Sequence, residues 1–275
     1  MKMSYQKVVL ITGASSGIGK ETAKLLAAKG FKVYGAARNL DKMKELTAVG
    51  VEILSLDITD EKSIENCVKQ ILLKEKRIDI LINNAGYGSF GAVEVVPMEE
   101  ARRQFEVNLF GLGLLIQKIL PIMRNQKSGR IINISSMGAY FGEPNGGWYH
   151  ATKAALERLS DALRMEVKPF GIDVVLIQPG MIYTEWQEIA QENLIKTSTG
   201  TVYEKSAKAQ ATGMDKMYKM ASKPTVIAKT ILKASTRKHP KVRYKAGGFA
   251  KPLIFLSIIT PTRLFDRIMT KSVKG

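Results

Sequence analysis

The sequence predicts an α/β protein with a doubly wound parallel sheet, helices on both faces and a C-terminal extension. Continuous apolar runs such as VVLIT at Val8–Thr12 have the composition of strands buried on both sides, and they alternate with helical periodicity. No linker rich in proline, glycine or serine and no internal repeat interrupts this alternation. We therefore predict one domain over residues 1–275, in which 45% hydrophobic residues suffice for a large core.

The first strand runs into a glycine-rich segment, GASSGIG at residues 13–19, and then into a helical pattern. A side chain at Gly13 or Gly17 would hold a diphosphate away from the backbone, and Gly19 allows close packing of the helix. The helix N-terminus offers free N–H groups to phosphate. We predict a dinucleotide cradle, with a purely structural turn as the alternative. The expected contacts are Gly13, Ser15, Ser16, Gly17, Ile18 and Gly19.

The second apolar run, residues 31–37, indicates which dinucleotide binds. An acidic residue at the end of this strand would accept hydrogen bonds from the ribose 2′-hydroxyl of NAD. This chain has Arg38 there, whose guanidinium can pair with a 2′-phosphate. We therefore expect NADP(H) rather than NAD(H), with an ordinary exposed arginine as the alternative.

The third strand, residues 51–56, is followed by Asp57. At the carboxyl end of a parallel strand this carboxylate can accept a hydrogen bond from the adenine amino group. It could instead cap the next helix, although Thr59 or Asp60 is better placed to do so.

Three later segments carry candidate chemistry. A strand at residues 78–82 leads into NNAG, and a strand at residues 130–134 ends in Ser135 and Ser136. Tyr149 and Lys153 are four residues apart and share one helical face. A nearby ammonium should lower the tyrosine pKa from ~10 and make it a usable acid or base. Ser136 can donate a hydrogen bond to a substrate oxygen.

Six motifs in this order and spacing resemble the short-chain dehydrogenase/reductase family, over about residues 7–184. That family has a single-domain Rossmann fold and transfers hydride between a nicotinamide and a carbonyl or alcohol carbon. The motifs are TGASSGIG (12–19), NNAG (83–86), Asn108 in FEVNLFG, ISS (134–136), YHATK (149–153) and PGMIYT (179–184).

The resemblance implies a role for each matching residue. Tyr149 would be the general acid in reduction, Lys153 its partner that also binds the nicotinamide ribose, and Ser136 the substrate-oxygen anchor. Asn108 would hold a water in a proton relay, or else form a polar kink in a helix. His150 stands where the family often has a small residue, and we expect it to point away from the site. The implied cofactor contacts also include Asn84, Ala85, Gly86, Pro179, Gly180, Ile182 and Thr184.

The last third of the chain diverges from the family pattern. Residues 185–222 predict either a mobile lid over an apolar pocket or two ordinary surface helices. Trp148 is expected to form a pocket wall or to lie in the core. The extension, about residues 246–275, and the NNAGYG motif resemble the 17-beta-hydroxysteroid-dehydrogenase-like branch. This tail is apolar and then basic, so it is expected to pack over the pocket or against a partner subunit, with weak peripheral membrane contact as an alternative.

The net charge of +17 is the unusual feature of the composition. No nucleic-acid recognition motif accompanies it, so we expect a solvated basic face and no nucleic-acid partner. With one cysteine and two histidines, neither a disulfide nor a metal site is expected. No stretch approaches the ~18 apolar residues of a membrane span, so a cytoplasmic location is expected. The basic residues that cluster late in the chain are Arg237, Lys238, Lys241, Arg243, Lys245 and Lys251.

These features together predict an NADP(H)-dependent oxidoreductase that acts on a hydrophobic carbonyl or secondary alcohol compound. A 3-ketoacyl-type reductase and a catalytically silent NADP(H)-binding sensor stay open as alternatives. The family commonly pairs the helices that contain Asn108 and Tyr149, so a homodimer or homotetramer is expected.

Overall fold

The structure is a computed structural model that describes residues 6–273, without the side chain of Ser272. Its sheet has seven strands, all parallel, in the spatial order β3-β2-β1-β4-β5-β6-β7. The chain winds outward from β1 in one direction and then from β4 in the other, so the predicted fold class is confirmed. The strands are β1 (Val8–Thr12), β2 (Lys32–Ala37), β3 (Glu52–Ser55), β4 (Ile80–Asn83), β5 (Gly129–Ile134), β6 (Ile172–Pro179) and β7 (Arg243–Ala246).

Helices connect the strands and cover both faces of the sheet. A π-helical turn, Glu106–Phe110, joins α4 to α5 without a break. The helices are α1 (Gly17–Ala28), α2 (Lys44–Thr47), α3 (Glu61–Glu75), α4 (Met98–Phe105), α5 (Gly111–Asn125), α6 (Gly147–Val167), α7 (Trp186–Ser198), α8 (Glu204–Tyr218), α9 (Pro224–Thr236), α10 (Ala250–Ile259) and α11 (Thr262–Thr270).

The alternation of side chains along β1 divides the core into two layers. Val8 and Leu10 face one side of the sheet and pack with residues of α3, α5 and α6. Val9 and Ile11 face the other side and pack with residues of α1, α2 and α9. Because β1 is central and buried on both faces, every one of its positions is apolar or a hydrogen-bonded threonine. This continuous apolar run is the reason that both ends of the strand are predicted correctly.

The continuous helix Met98–Asn125 corrects one expectation from the sequence. By length and composition alone it could cross a membrane, with a mean hydropathy of 1.4 over 18 residues. Here its side chains Leu112, Leu115 and Ile119 are buried against the sheet, which is the usual position of a core helix. Polar residues within the apolar part, including Asn108, Gln117 and Lys118, divide it into shorter apolar runs in the sequence.

Strand β7 corrects the prediction of a solvated basic face. Arg243 does not project into solvent alone: its Nε donates to Glu157 Oε2 at 2.9 Å and its Nη2 donates to Asp161 Oδ2 at 2.6 Å, both on α6. Lys245 Nζ lies 5.5 Å from the centroid of the Tyr140 ring. Arg243 therefore attaches the edge strand to the long helix α6, and Lys245 contacts the loop that follows β5.

The pairing of Arg243 with Glu157 predicts a stability effect. Glu157 is 2% exposed, and loss of its cation would leave an uncompensated buried charge. Arg243→Met should therefore lower the free energy of unfolding by about 3 kcal/mol in urea denaturation. Arg237→Met, at an exposed position, should change it by less than ~0.5 kcal/mol. Equal effects of the two variants would contradict the structural role of the pair.

Candidate active site

A cleft of about 1500 Å³ lies at the carboxyl ends of the strands, where the loops after β1 and β4 diverge. Two of the predicted site residues, Gly19 and Asn108, do not line it. The predicted residues that do line it are Gly13, Ser15, Ser16, Gly17, Ile18, Arg38, Asp57, Asn84, Ala85, Gly86, Ser136, Tyr149, Lys153, Pro179, Gly180, Ile182 and Thr184.

The glycine segment has the backbone shape that a phosphate cradle needs. Gly13 has φ +66°, and a Cβ there would lie 2.9 Å from the Ala85 backbone. A Cβ at Gly19 would overlap the carbonyl oxygen of Gly13, so Gly19 is required for packing within the loop rather than for lining the cleft. Ser16 is the N-cap of α1 but, across the described residues, its hydroxyl caps none of the first-turn N–H groups. These groups are thus oriented for an anion.

Thr12 and Asn84 hold the cradle in place. The Thr12 Oγ1 accepts hydrogen bonds from the backbone N–H of Asn84 and of Ala85, both at 3.0 Å. The Asn84 side-chain amide donates to the carbonyl oxygens of Thr12 and Gly13, also at 3.0 Å. The Asn84 amide therefore braces the loop, and Thr12 is a supporting residue that the sequence argument did not single out.

The far end of the cleft is rich in cations. Arg38 lines the cleft as predicted, and so do Lys42, Arg102 and Arg103; the charges of Arg38 and Arg103 both act on Asp57. Lys42 and the α4 residues Arg102 and Arg103 were missed because none of them belongs to a sequence motif of the site. Cations from separate segments thus converge beside the end of β2, where an anionic group would be attracted.

Asp57 lies at this cationic end and does not cap α3. Its Oδ1 accepts from the backbone N–H and the hydroxyl of Thr59 at 2.9 and 2.7 Å. Burial raises its pKa, but these hydrogen bonds and the charges of Arg38 and Arg103 outweigh burial and hold the pKa below its usual value. The cap of α3 is Asp60, which accepts from the N–H of Lys62 at 2.9 Å.

Ser136 and Tyr149 meet in the middle of the cleft. Their hydroxyls share a hydrogen bond, and Ser136 Oγ also accepts from the N–H of Gly138 at 3.0 Å. The expected lowering of the tyrosine pKa is not found in this structure. Burial raises the pKa of Tyr149 to about 12, the Ser136 hydrogen bond opposes this rise, and the charge of Glu143 adds to it. The free-energy cost of burying a charged phenolate here exceeds the stabilisation that the neighbouring groups give it.

Lys153 is buried beside this pair. Its Nζ donates to the carbonyl oxygen of Ile134 at 3.0 Å. Burial lowers its pKa to about 8, while the charge of Glu157, one helical turn further along α6, acts in the opposite direction. Glu157 also accepts from Gln178 Nε2 at 2.9 Å. The carboxylate that supports Lys153 is thus fixed by both β6 and β7.

Asn108 lies behind the cleft, in the π-helical turn between α4 and α5. Its side chain accepts from the N–H of Tyr87 at 3.0 Å and donates to the carbonyl oxygen of Tyr87 at 2.9 Å. Its Nδ2 also donates to Thr152 Oγ1 at 3.2 Å. A Cβ at Gly86 would lie 3.0 Å from Asn108 Oδ1 and 3.6 Å from Lys153 Nζ. Asn108 therefore joins the NNAG loop to α6 immediately behind the lysine.

His150 differs from the expectation that it points away from the site. It lines the cleft, with its ring centroid 5.8 Å from that of Tyr149 in an edge arrangement. Its Nδ1 lies 2.7 Å from the carbonyl oxygen of Gly138, and its Nε2 lies 3.4 Å from Glu143 Oε1. The loop after β5 folds over the N-terminal turn of α6, and this brings the histidine into the site.

Trp186, rather than Trp148, forms the aromatic wall. Trp148 packs edge-on against Phe105, with centroids 6.5 Å apart, and does not line the cleft. Trp186, at the start of α7, lies 5.1 Å from Tyr149 and 5.9 Å from Phe90 by ring centroids. A Cβ at Gly88 would overlap the Trp186 ring, so this glycine makes room for the wall.

The segment 179–184 and the C-terminal extension close the remaining sides. A Cβ at Gly180 would overlap the carbonyl oxygen of Gly248, so the segment is packed against the start of the extension. Helices α7 and α8 pack around Phe90 through a small apolar cluster and also line the cleft. The two helices therefore pack against the rest of the domain and also cover the cleft. The apolar residues of these covering parts that line the cleft are Ile189, Met214, Met217, Leu253, Ile268 and Met269.

Comparison with known proteins agrees with this geometry. The family model for short chain dehydrogenase matches residues 7–194. The chain is 38% identical over 249 residues to a 3-ketodihydrosphingosine reductase of Bacteroides thetaiotaomicron, covering 90% of each protein. It is 34% identical to an NADPH-dependent 3-dehydrocapnine reductase of Ornithobacterium rhinotracheale, covering 98% of each. A solved short-chain dehydrogenase from Streptomyces avermitilis superposes with a TM-score of 0.79 at 33% identity, over 98% of this chain and 95% of that one.

Proposed function

The chain belongs to the short-chain dehydrogenase family and is an oxidoreductase of that type, and from this premise we propose that it is an NADPH-dependent reductase of a lipid-like ketone. The observation that carries the proposal is the hydrogen-bonded pair Ser136 and Tyr149 beside buried Lys153, in a cleft with a phosphate cradle at one end and apolar walls at the other. These groups can supply a proton to a carbonyl oxygen.

The cradle fits a dinucleotide, because Gly13 and Gly17 have positive φ and the first turn of α1 presents uncapped N–H groups. When bound, NADPH supplies the hydride. Arg38, Lys42 and Arg103 would hold a 2′-phosphate, and the residue directly after β2 is Arg38 rather than a carboxylate that could bind a 2′-hydroxyl. The NADPH-dependent relative supports the same preference.

Tyr149 is the proton donor in this proposal. With its pKa raised to about 12, its hydroxyl stays protonated at neutral pH and is available to a carbonyl oxygen. Ser136 orients that hydroxyl and can donate to the same oxygen as negative charge develops there. Lys153, with a pKa of about 8, carries a proton near physiological pH and can restore the one that Tyr149 loses.

The cleft favours a substrate with a long apolar part and a polar head. Trp186, Phe90 and the methionines of α8 provide apolar wall beside Tyr149. Glu143 lies at the same end, close enough for its charge to act on Tyr149, and could bind a cationic group next to the keto carbon. The relative named 3-ketodihydrosphingosine reductase supports a long-chain amino ketone. The 17-beta-hydroxysteroid-dehydrogenase-like branch, the cytoplasmic location and the oligomeric state stay predictions.

The proposal is tested by NADPH oxidation with a long-chain 2-amino-3-ketone, a steroid ketone and a 3-ketoacyl thioester. Tyr149→Phe should lower kcat by at least about 100-fold, because it removes the general acid. Tyr183→Phe, an exposed tyrosine outside the cleft, should leave kcat unchanged. Turnover of the thioester alone would favour a 3-ketoacyl reductase. Tight NADPH binding with no turnover of any compound would favour the sensor, and no binding would refute both.

Cofactor preference should depend on Arg38. Arg38→Asp replaces a cation that can pair with the 2′-phosphate by a carboxylate that repels it. Fluorescence titration should show NADPH binding weakened by about 10- to 100-fold, as expected for a lost charge-assisted pair, and NADH binding unchanged or tighter. Arg237→Asp, remote from the cleft lining, is the matched control. Equal weakening of both cofactors by Arg38→Asp would contradict the assignment.

The pH dependence of reduction should follow Lys153. The lysine is charged below its pKa of about 8, so kcat/KM should be steady below that pH and fall as the pH rises through it. Glu157→Gln removes a negative charge that favours the ammonium, so the midpoint should move to lower pH. Glu188→Gln, on an exposed position of α7, should leave the profile in place. An unmoved midpoint in Glu157→Gln would rule out this role for Glu157.

A further inference from the structure

Helix α10 exposes an unusual amount of apolar surface. Its sequence, AKPLIFLSII, is apolar around almost the whole circumference, but Ala250 and Ile254 are its buried residues. Phe255 is 61% exposed, Ile258 63% and Ile259 59%. Single exposed apolar side chains are common on proteins, whereas three within five residues form a patch that suggests a binding surface.

Helix α11 continues this surface. Phe265 faces inward and contacts Phe141, with ring centroids 5.5 Å apart, so the helix is anchored to the cleft wall. Leu264 and Ile268 are exposed. We refer to Phe255, Ile258, Ile259, Leu264 and Ile268 as the C-terminal apolar surface.

The C-terminal apolar surface borders the mouth of the cleft. Leu253 and Ile268, one from each helix, line the cleft together with Met269. Ile268 belongs to both the exposed surface and the cleft lining, so an apolar path leads from solvent-facing side chains to the site. A substrate that leaves a lipid phase there would stay in contact with apolar groups.

The charged residues of the two helices are mostly basic. Lys251, Arg263, Arg267 and Lys271 are exposed on or directly after the two helices, and Asp266 is the sole acidic residue of the described residues 246–273. An apolar patch with a basic rim matches the interface of an anionic bilayer, where apolar groups enter the acyl boundary and cations meet the headgroups. Helix α10 has 10 residues, about 15 Å, and is too short to span a bilayer of about 30 Å.

We propose that the C-terminal apolar surface docks on an anionic phospholipid membrane and that the lipid substrate enters the cleft past Ile268 and Leu253. The route for substrate rests on the proposed reductase function, but the docking itself does not. A second copy of the chain is a less suitable occupant, because a two-fold contact through this surface would bring Lys251, Arg263 and Arg267 of each copy toward those of the other.

The test is co-sedimentation with phosphatidylcholine vesicles that contain or lack phosphatidylglycerol. The wild type should sediment with the anionic vesicles, and added salt should weaken its binding. The double variant Phe255→Glu/Ile258→Glu should bind at least about tenfold more weakly, because it places charge in the apolar contact. Leu73→Glu, which changes a 72% exposed leucine on α3, is the matched control and should bind like the wild type.

Three further measurements distinguish a loss of membrane docking from a loss of folding or of cofactor binding. Thermal unfolding and NADPH binding of the double variant should match the wild type, since both changed side chains are exposed. The KM for a vesicle-embedded ketone should rise in the double variant, and the KM for a short water-soluble ketone should not. If the wild type sediments with anionic vesicles but reduces neither ketone, the docking proposal stands and the reductase function is refuted.

Either of two outcomes would overturn the docking. One is a wild type that stays in the supernatant with both kinds of vesicle. The other is a double variant that sediments normally but changes from dimer to monomer, which would assign the surface to a second copy of this chain.

Discussion

The burial of a charged lysine is the constraint on which the site depends. Lys153 is placed at the carboxyl end of the sheet with the carbonyl oxygen of Ile134 as its hydrogen-bond acceptor and the charge of Glu157 nearby. Glu157 is itself buried and needs donors, which Gln178 on β6 and Arg243 on β7 provide. An ammonium without these groups would lose its proton or disrupt the core. The edge of the sheet is thus part of the catalytic arrangement.

Two parts of the fold form the cleft, and they differ in how well they tolerate amino-acid substitutions. At the cradle, Gly13 and Gly19 have backbone and carbonyl groups where a Cβ would lie, so small changes there are not accommodated. At the substrate end, the walls come from α7, α8, α10 and α11, whose methionines and aliphatic side chains pack without a fixed hydrogen-bond pattern. The same scaffold can therefore keep its chemistry while its covering helices vary in the substrate they admit.

The pKa values of Tyr149 and Lys153 favour the direction of carbonyl reduction. Burial raises the pKa of Tyr149 and lowers that of Lys153, so both groups are shifted toward their uncharged forms. At neutral pH the tyrosine keeps its proton, and the lysine, with its pKa near 8, exchanges one readily. This combination suits proton donation to a carbonyl, and Ser136 and Glu143 adjust the tyrosine in opposite directions.

Local chemistry by itself determined much of this protein. The apolar run of β1, the glycine loop and the four-residue spacing of Tyr149 and Lys153 follow from strand burial, backbone freedom and helical periodicity, which neighbouring residues encode. The tertiary structure alone decided that Trp186 forms the wall instead of Trp148, that His150 enters the site and that Arg243 meets Glu157 across 86 residues of chain. It also decided the tyrosine pKa, because the cost of burying a charge depends on the packing of distant segments.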